Sequence, residues 1–132
     1  MTEVPRPVIT PLSEPYWQGL EAGKLRFQSC ADCDHAWLPP REQCPRCLSD
    51  HWQWKPATGR GRVISWVVYR QAAHPAFTDR VPYNVAIVEL DEGPRLITNI
   101  NADPADLAIE QPVVLAVARG QGFSLARFAL LS

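Results

Sequence analysis

Residues 30–47 read Cys30-Ala-Asp-Cys33-Asp-His-Ala-Trp-Leu-Pro-Pro-Arg-Glu-Gln-Cys44-Pro-Arg-Cys47 and contain all four cysteines of the chain. Each Cys-x-x-Cys turn can direct two sulfur atoms at one ion, and two such turns complete a tetrahedron. The segment is too short and polar to bury a core of its own, so a metal would have to hold it. The spacing therefore predicts one zinc ion bound by Cys30, Cys33, Cys44 and Cys47, with iron on the same ligands as the alternative.

Other interpretations of the four thiols are weaker. Two disulfides need an oxidising compartment, and a redox-active Cys-x-x-Cys usually occurs singly within an alternating αβ pattern, which this sequence lacks. Four thiolates fill a tetrahedral shell and leave no position for water or substrate, so the predicted site is structural. His35 and His51 flank the turns, and because four cysteines suffice we expect both histidines to be surface or packing residues.

The composition is that of a globular protein, since 46% of the 132 residues are hydrophobic and 20% are charged. No apolar run approaches the roughly 20 residues that cross a bilayer, and the N-terminus lacks the apolar segment of a signal peptide. We therefore expect a cytoplasmic protein without a membrane partner. The net charge of −1 provides no basic surplus for binding phosphate backbones, which argues against nucleic acid as a partner.

One helix is predicted near the N-terminus, over residues 13–22. Ser13 can cap it, Pro15 fits its first turn and Gly23 can end it. Three apolar side chains share one face of this helix because of their spacing: Tyr16, Trp17 and Leu20. That face either packs on the chain's own ribbon or binds a partner protein, and the sequence leaves both interpretations open.

From Gly59 onward the pattern changes to strands. Val, Ile, Trp and Tyr are enriched in alternating runs, separated by a long loop at residues 71–82 and by shorter turns. The predicted strands are Arg62–Arg70, Tyr83–Leu90, Arg95–Ile100, Pro112–Ala118 and Phe123–Leu130. Five antiparallel strands of this size remove their exposed edges by closing into a small barrel. We predict an OB-fold barrel, with a small SH3-like barrel as the main competitor, and hence a mainly β protein.

Several stretches together resemble one known family. They are Tyr16-Trp-Gln-Gly-Leu-Glu-Ala-Gly-Lys-Leu25, the two cysteine turns, Leu38-Pro-Pro-Arg41, Gly59-Arg-Gly-Arg-Val63, Pro82-Tyr-Asn-Val-Ala-Ile-Val-Glu-Leu90 and Asp91-Glu-Gly-Pro94. The family is the zinc-ribbon/OB-fold family catalogued as domain of unknown function 35, found beside thiolases and other acyl-CoA enzymes. The resemblance implies an N-terminal segment and helix at 1–28, a rubredoxin-like zinc ribbon at 29–56 and the barrel at 57–132.

The resemblance also implies a function. Members of the family are noncatalytic companions of a thiolase-superfamily subunit, so the expected partners are a thiolase-like protein and a CoA thioester, and the barrel is expected to offer a groove for CoA. The chain departs from the family at the residue that follows each cysteine turn, where a glycine often adopts a left-handed backbone. Asp34 tolerates that conformation and Leu48 does so poorly, which predicts a distorted or weaker second turn.

Ligand-binding residues are expected around the long loop, where OB-folds place a binding surface. Arg70 and Arg80 bracket the loop and can meet a CoA phosphate, although we favour the interpretation of each as an ordinary exposed arginine without a ligand. Tyr83 can pack on adenine or on the pantetheine arm, or it can belong to the core. His74 is the one candidate general base, and we expect it to be a solvated loop histidine, so no catalytic residue is predicted.

Two further hypotheses belong to other classes. Zinc ribbons and OB barrels both bind single-stranded nucleic acid through aromatic platforms, for which Trp66 and Tyr69 are the candidates. Their odd spacing places them on opposite faces of a strand, so at most one of them points outward. A purely structural adaptor without a ligand is the remaining alternative, and the sequence does not separate it from a CoA-binding companion.

Overall fold

The computed structural model describes residues 8–69, 83–119 and 123–131, with only the backbone of Tyr69 and Tyr83. In these ranges the chain forms one helix and ten strands. They are α1 Glu14–Glu21, β1 Arg26–Cys30, β2 Ala36–Trp37, β3 Trp52–Pro56, β4 Arg60–Tyr69, β5 Tyr83–Leu90, β6 Arg95–Thr98, β7 Pro112–Leu115, β8 Ala118–Arg119, β9 Ser124–Leu125 and β10 Phe128–Leu130. A short 3-10 turn spans Pro104–Asp106.

The N-terminal helix lies where the sequence predicts it. It has a proline in its first turn and ends before Gly23, whose φ of 78° only glycine adopts at low cost. The expected cap differs, because the Ser13 side chain makes no bond to the helix. Its hydroxyl oxygen instead accepts a hydrogen bond from the Thr10 amide at 2.9 Å, which fixes the turn before the helix.

The ribbon is a three-stranded antiparallel sheet with strand order β2-β1-β3. The central strand ends at Cys30, which is paired with Trp52 on β3. Trp52 and Trp54 share one face of β3, with ring centroids 6.1 Å apart, while Gln53 between them is exposed. This sheet places the first cysteine turn directly beside the strand that follows the second turn.

The second half is the predicted five-stranded OB-fold barrel. Its strand order is β10-β7-β4-β5-β6, and a parallel bridge between Ile100 and Phe128 joins the two ends of the sheet. The buried Asn84 side chain reinforces this closure, since it donates to the carbonyl of Ile100 at 2.9 Å and accepts from the same residue's amide at 2.8 Å. With these bonds the barrel has few open edges.

Three of the five barrel strands are shorter than the sequence predicts. The strand expected to reach Ile100 ends at Thr98, and those expected at 112–118 and 123–130 are each interrupted. The two interrupted segments still pair with each other in one antiparallel register, as β7 with β10 and as β8 with β9. Only β7 also pairs with β4 in the barrel wall, so β8 and β9 form a separate two-stranded sheet. The predicted loop at 71–82 lies outside the described residues.

The main hydrophobic core lies inside the barrel and draws residues from both halves of the chain. Val63, Val88, Val113 and Phe128 line it and are fully buried. Leu20 from α1 and Leu25, the residue before β1, belong to the same cluster. A second, smaller cluster surrounds the cysteines. In the described part of the chain, no helix is both long and apolar enough to cross a membrane.

Candidate metal centre

The two cysteine turns have the same backbone hydrogen bonds. In the first turn the Cys30 amide donates to the carbonyl of His35 at 2.8 Å, and the Asp34 amide donates to the carbonyl of Cys30 at 3.1 Å. In the second turn Cys44 and Leu48 repeat these bonds at the same sequence offsets, with both distances at 2.8 Å. The amide two residues beyond the first cysteine also points at its sulfur in each turn, at 3.4 Å. Each turn is therefore a preformed holder for two sulfur atoms.

The residue after each turn adopts the left-handed conformation. Asp34 has φ 62° and Leu48 has φ 64°. The expectation that leucine distorts the second turn is wrong, because its hydrogen bonds match those of the first. A left-handed leucine is strained, and the Leu48 side chain remains 69% exposed, so packing does not offset that strain.

The four sulfur atoms converge on one point. All of them lie within 4.8 Å of one another, and the Cys30–Cys47 and Cys33–Cys44 sulfur pairs are each 3.6 Å apart. A tetrahedral zinc site with Zn–S bonds of about 2.3 Å has sulfur–sulfur edges of about 3.8 Å. All four cysteines are free, and 3.6 Å is far longer than an S–S bond, so the disulfide interpretation is wrong. The donor set fits a four-thiolate metal site.

The crowding of the sulfur atoms changes their acidity. At Cys33 the backbone amide of His35 lowers the pKa, but burial and the three neighbouring thiols outweigh it and raise the pKa to about 12. At Cys44 burial raises the pKa, but hydrogen bonds from the Cys47 and Arg46 amides and from neighbouring thiols bring it down to about 7. Four thiols at this distance ionise together only when a cation neutralises them.

Within each turn the first cysteine is more buried than the second, and a tryptophan covers the buried side. Cys30 and Cys44 are 1% and 0% exposed, Cys33 is half-buried and Cys47 is exposed. Trp37 is buried beside the sulfurs, with its ring 6.5 Å from that of Trp52. The centre therefore opens to solvent on the side of Cys47.

Neither flanking histidine belongs to the four-thiol cluster, as expected. His35 stacks on Trp37 with ring centroids 6.1 Å apart. His51 lies 3.3 Å from the Asp32 carboxylate, which also accepts a hydrogen bond from the Ser49 hydroxyl. The bond from Ser49 has the largest effect on the Asp32 pKa and, together with His51, lowers it. These contacts tie the first turn to the residues that follow the second.

Gln28 is a structural residue that the sequence analysis missed. Its side chain is fully buried, and it accepts a hydrogen bond from the Arg41 amide at 2.7 Å and donates one to the Arg41 carbonyl at 2.8 Å. These bonds hold the segment before Cys44 against β1. A glutamine in an alternating strand pattern carries no signal for this role, which becomes visible only when the loop is in place.

The three predicted partner-binding residues differ in how deeply they are buried. Leu20 is fully buried in the barrel core, so its assignment to a partner-binding face is wrong. Tyr16 and Trp17 are partly buried, with their rings 5.0 Å apart and perpendicular. Burial raises the pKa of Tyr16 to about 12. The helix thus turns its leucine inward and leaves its two aromatic side chains near the surface.

These two aromatic residues line an apolar groove of about 620 Å³, where helix, ribbon and barrel meet. The ribbon contributes the segment Leu38-Pro-Pro40, and the barrel contributes residues of β5 and β6. Two of the lining side chains are largely exposed, Val8 at 85% and Ile97 at 74%. The groove is the main apolar surface feature that the sequence analysis did not foresee.

Three of the predicted ligand-binding and catalytic candidates lie outside the described residues, namely Arg70, Arg80 and His74. Tyr83, of which only the backbone is described, begins β5, and the buried residues described on that strand are Asn84, Ala86, Val88 and Leu90. Trp66, a candidate base-stacking residue, is half-buried and packs against the barrel core.

Family models match most of the chain. Residues 17–53 match the rubredoxin-like zinc ribbon domain of ChsH2, and residues 54–118 match its C-terminal OB-fold domain. A rubredoxin-like ribbon model together with four converging thiols identifies the cluster as a structural zinc centre. The ribbon's model ends within β3, three residues before that strand does.

Individual proteins and one solved structure are also similar. A probable enoyl-CoA hydratase alpha subunit of Thermomonospora curvata is 40% identical over 112 residues, which are 84% of this chain but only 34% of that protein. A DUF35 domain-containing scaffold protein of Methanothermobacter thermautotrophicus is 34% identical over 67% of this chain and 68% of its own length. A chain of the Ltp2-ChsH2(DUF35) aldolase superposes with a TM-score of 0.83 at 36% identity, covering 95% of this chain and 98% of that one. The chain thus spans about a third of the hydratase subunit and nearly all of the aldolase-associated chain.

Proposed function

Because this chain belongs to the DUF35 family of zinc-ribbon/OB-fold proteins, we propose that it is a noncatalytic companion subunit of an enzyme that acts on CoA thioesters. The observation that carries the proposal is the full-length likeness to the DUF35 chain of an aldolase assembly. The name of the hydratase relative, an alpha subunit, points in the same direction.

The role we propose for the zinc centre is architectural. Cys30, Cys33, Cys44 and Cys47 would hold one Zn²⁺, which supplies cross-linking of the ribbon and leaves no coordination position for a substrate. The chain's own residues would do the rest, since Gln28 fixes the segment before Cys44 and Trp37 covers the buried sulfurs. The result is a rigid ribbon packed beside the barrel.

We propose that the partner is a thiolase-superfamily subunit, and that it docks on the groove beside Tyr16 and Trp17. The groove is apolar, and its rim exposes Val8 and Ile97, features typical of protein–protein contact surfaces. We further propose that Arg70, Arg80 and Tyr83 contact the CoA part of the thioester. The position of these residues beside the long loop, where OB-folds place a binding surface, supports this proposal.

Co-expression with a thiolase-like protein, followed by co-purification, tests the companion role. We expect a stable complex that contains zinc, and we expect Cys44→Ser to lower both the zinc content and the yield of complex. Normal complex yield and partner activity without zinc would show that the ribbon has no architectural role.

A pair of isoleucine variants tests the docking surface. Ile97→Asp places a charge on the groove, whereas Ile109→Asp places one on another exposed isoleucine outside it, at 59% exposure. We expect the first variant to reduce complex formation by at least about ten-fold and the second to leave it unchanged. Equal effects of the two variants would refute the groove as the interface.

Ligand titrations separate the remaining hypotheses. We expect acetyl-CoA to bind the unmodified complex more tightly than a complex that carries both Arg70→Gln and Arg80→Gln. A single-stranded oligonucleotide at low salt is expected not to bind. Tight oligonucleotide binding without CoA binding would favour a nucleic-acid module, and complex formation without any CoA binding would favour a structural adaptor.

A further inference from the structure

The four sulfurs of the metal centre are unequal in their access to solvent. Cys30 and Cys44 are almost completely buried, Cys33 is half-buried, and Cys47 alone among the four is exposed. All four sulfurs have backbone hydrogen bonds, from Asp32 and Arg46 to the buried pair and from His35 and Ser49 to the other two, so exposure is what distinguishes Cys47. A reagent arriving from solution therefore meets the sulfur of Cys47 first.

The surroundings of Cys47 leave that approach open. The next residue, Leu48, is 69% exposed and held in a left-handed conformation, so its side chain does not cover the turn. The buried tryptophan Trp37 lies instead with Cys30 and Cys44 in the ribbon's small core.

A second thiol is positioned to complete the reaction. The sulfur of Cys30, on the other turn, lies 3.6 Å from that of Cys47. From these observations we propose that Cys47 is an oxidation site for peroxides, and that its oxidation converts the metal centre into a Cys30–Cys47 disulfide with release of zinc. This inference goes beyond the proposed function and does not depend on it.

The chemistry needs one peroxide molecule and no other reactant. The Cys47 thiolate attacks one peroxide oxygen, the O–O bond breaks, and sulfenic acid and hydroxide form. The Cys30 thiolate then attacks the Cys47 sulfur, forms the S–S bond and displaces a second hydroxide. Two thiolates are oxidised by two electrons, the peroxide is reduced, and the chain retains only two of four metal ligands.

Peroxide treatment of the zinc-loaded chain tests the proposal directly. Hydrogen peroxide is added at less than one equivalent, free zinc is followed with a coloured chelator, and the cysteines are mapped by differential alkylation and mass spectrometry. We expect Cys47 to be modified first, and the major disulfide to join Cys30 and Cys47, with one zinc released for each disulfide. First modification at Cys33, or a major Cys44–Cys47 disulfide, would overturn the proposal.

A matched pair of variants gives an independent kinetic test. Cys47→His and Cys33→His each keep four metal ligands but remove one thiolate, from the exposed and the half-buried position respectively. We expect peroxide-driven zinc release to be at least about five-fold slower in Cys47→His than in Cys33→His. Equal slowing by both variants would refute Cys47 as the point of attack. If either variant fails to bind zinc, the mapping of modified cysteines in the unmodified chain still tests the proposal.

Discussion

Leu48 is strained where a glycine would not be. Its φ of 64° costs an L-residue about 1–2 kcal/mol, and its exposed side chain has little packing to lose. Glycine itself has an entropic cost, so we expect Leu48→Gly to stabilise the zinc-loaded chain by up to about 1 kcal/mol. Chelator competition and urea unfolding both measure this gain.

Asp34→Gly is the matched control, because aspartate tolerates the same conformation better than leucine. Its effect should be smaller than that of Leu48→Gly. If the two changes are equally stabilising, or if Leu48→Gly is destabilising, Leu48 makes a contribution that its exposure does not reveal.

Gln28 satisfies two backbone groups of Arg41 that would otherwise lose their partners on folding. Leaving a buried polar group unsatisfied costs about 1–3 kcal/mol, so Gln28→Leu should destabilise the chain by a few kcal/mol. Gln53→Leu on the neighbouring strand β3 is the control, since Gln53 is exposed. Urea unfolding of both zinc-loaded variants checks this, and equal losses would mean that the bonds to Arg41 contribute little.

The spacing of residues along the sequence predicted those whose role is local. It missed those whose role depends on contacts with segments far away in the sequence. The four cysteines and the two left-handed positions follow from the turn itself, because each turn is closed by bonds within six residues. Gln28 acts on a segment thirteen positions away, and Leu20 is buried by the barrel that follows the ribbon. Neither could be recognised before the fold was known.

Gly61 is required where β4 and β5 approach each other. A Cβ atom at this position would lie 2.5 Å from the carbonyl oxygen of Glu89 and 2.9 Å from Cγ1 of Val88. Overpacking of this kind costs about 1–3 kcal/mol, so Gly61→Ala should lower the free energy of unfolding by that amount. Ser65→Ala, at an exposed position of the same strand, should be nearly neutral, and thermal unfolding compares the two.

Glu89 forms ion pairs across the outer surface of the barrel, 2.7 Å from Arg62 and 2.9 Å from Arg95. The bonds from Arg62 and then Arg95 lower its pKa below the ordinary value of 4.5. The stabilisation that these ion pairs contribute is therefore fully present above pH 4.5, the ordinary pKa. It is lost as the pH falls through the lower pKa of Glu89 in the folded state. Glu89→Gln should reduce the difference in stability measured above and below pH 4.5, whereas the exposed Glu42→Gln should not.

Sequence periodicity located the long strands well and the short ones less well. Tyr83–Leu90 has the bounds predicted, because β4 pairs with that strand along its whole length and β6 pairs with its middle. The later strands are interrupted between Leu115 and Ala118 and between Leu125 and Phe128, although the two segments keep one antiparallel register on both sides of the gap. A local break that keeps the register leaves no trace in the alternation of apolar and polar residues, so the interruptions could not be predicted.

At the scale of the whole molecule, the two hydrophobic clusters are separate. The ribbon's cluster contains Cys30, Trp37 and Cys44, and the barrel's cluster contains none of them. Removing zinc with a strong chelator should therefore unfold residues 30–50 while the barrel strands stay folded. Amide hydrogen exchange, with zinc added back as the control, measures this, and loss of protection in β4 and β5 would contradict it.

Leu20 and Leu25 precede the ribbon in the chain yet lie at the centre of the barrel. In topological terms the ribbon is an insertion between two segments of the chain that belong to one folding unit. A barrel fragment that begins after residue 53, at the boundary between the two family models, would lack both leucines. Their absence would leave a cavity in the barrel core and expose its apolar lining to water. Chimeras that exchange ribbons between relatives should accordingly have both junctions within the inserted ribbon. The helix and the barrel with which it packs then come from the same protein.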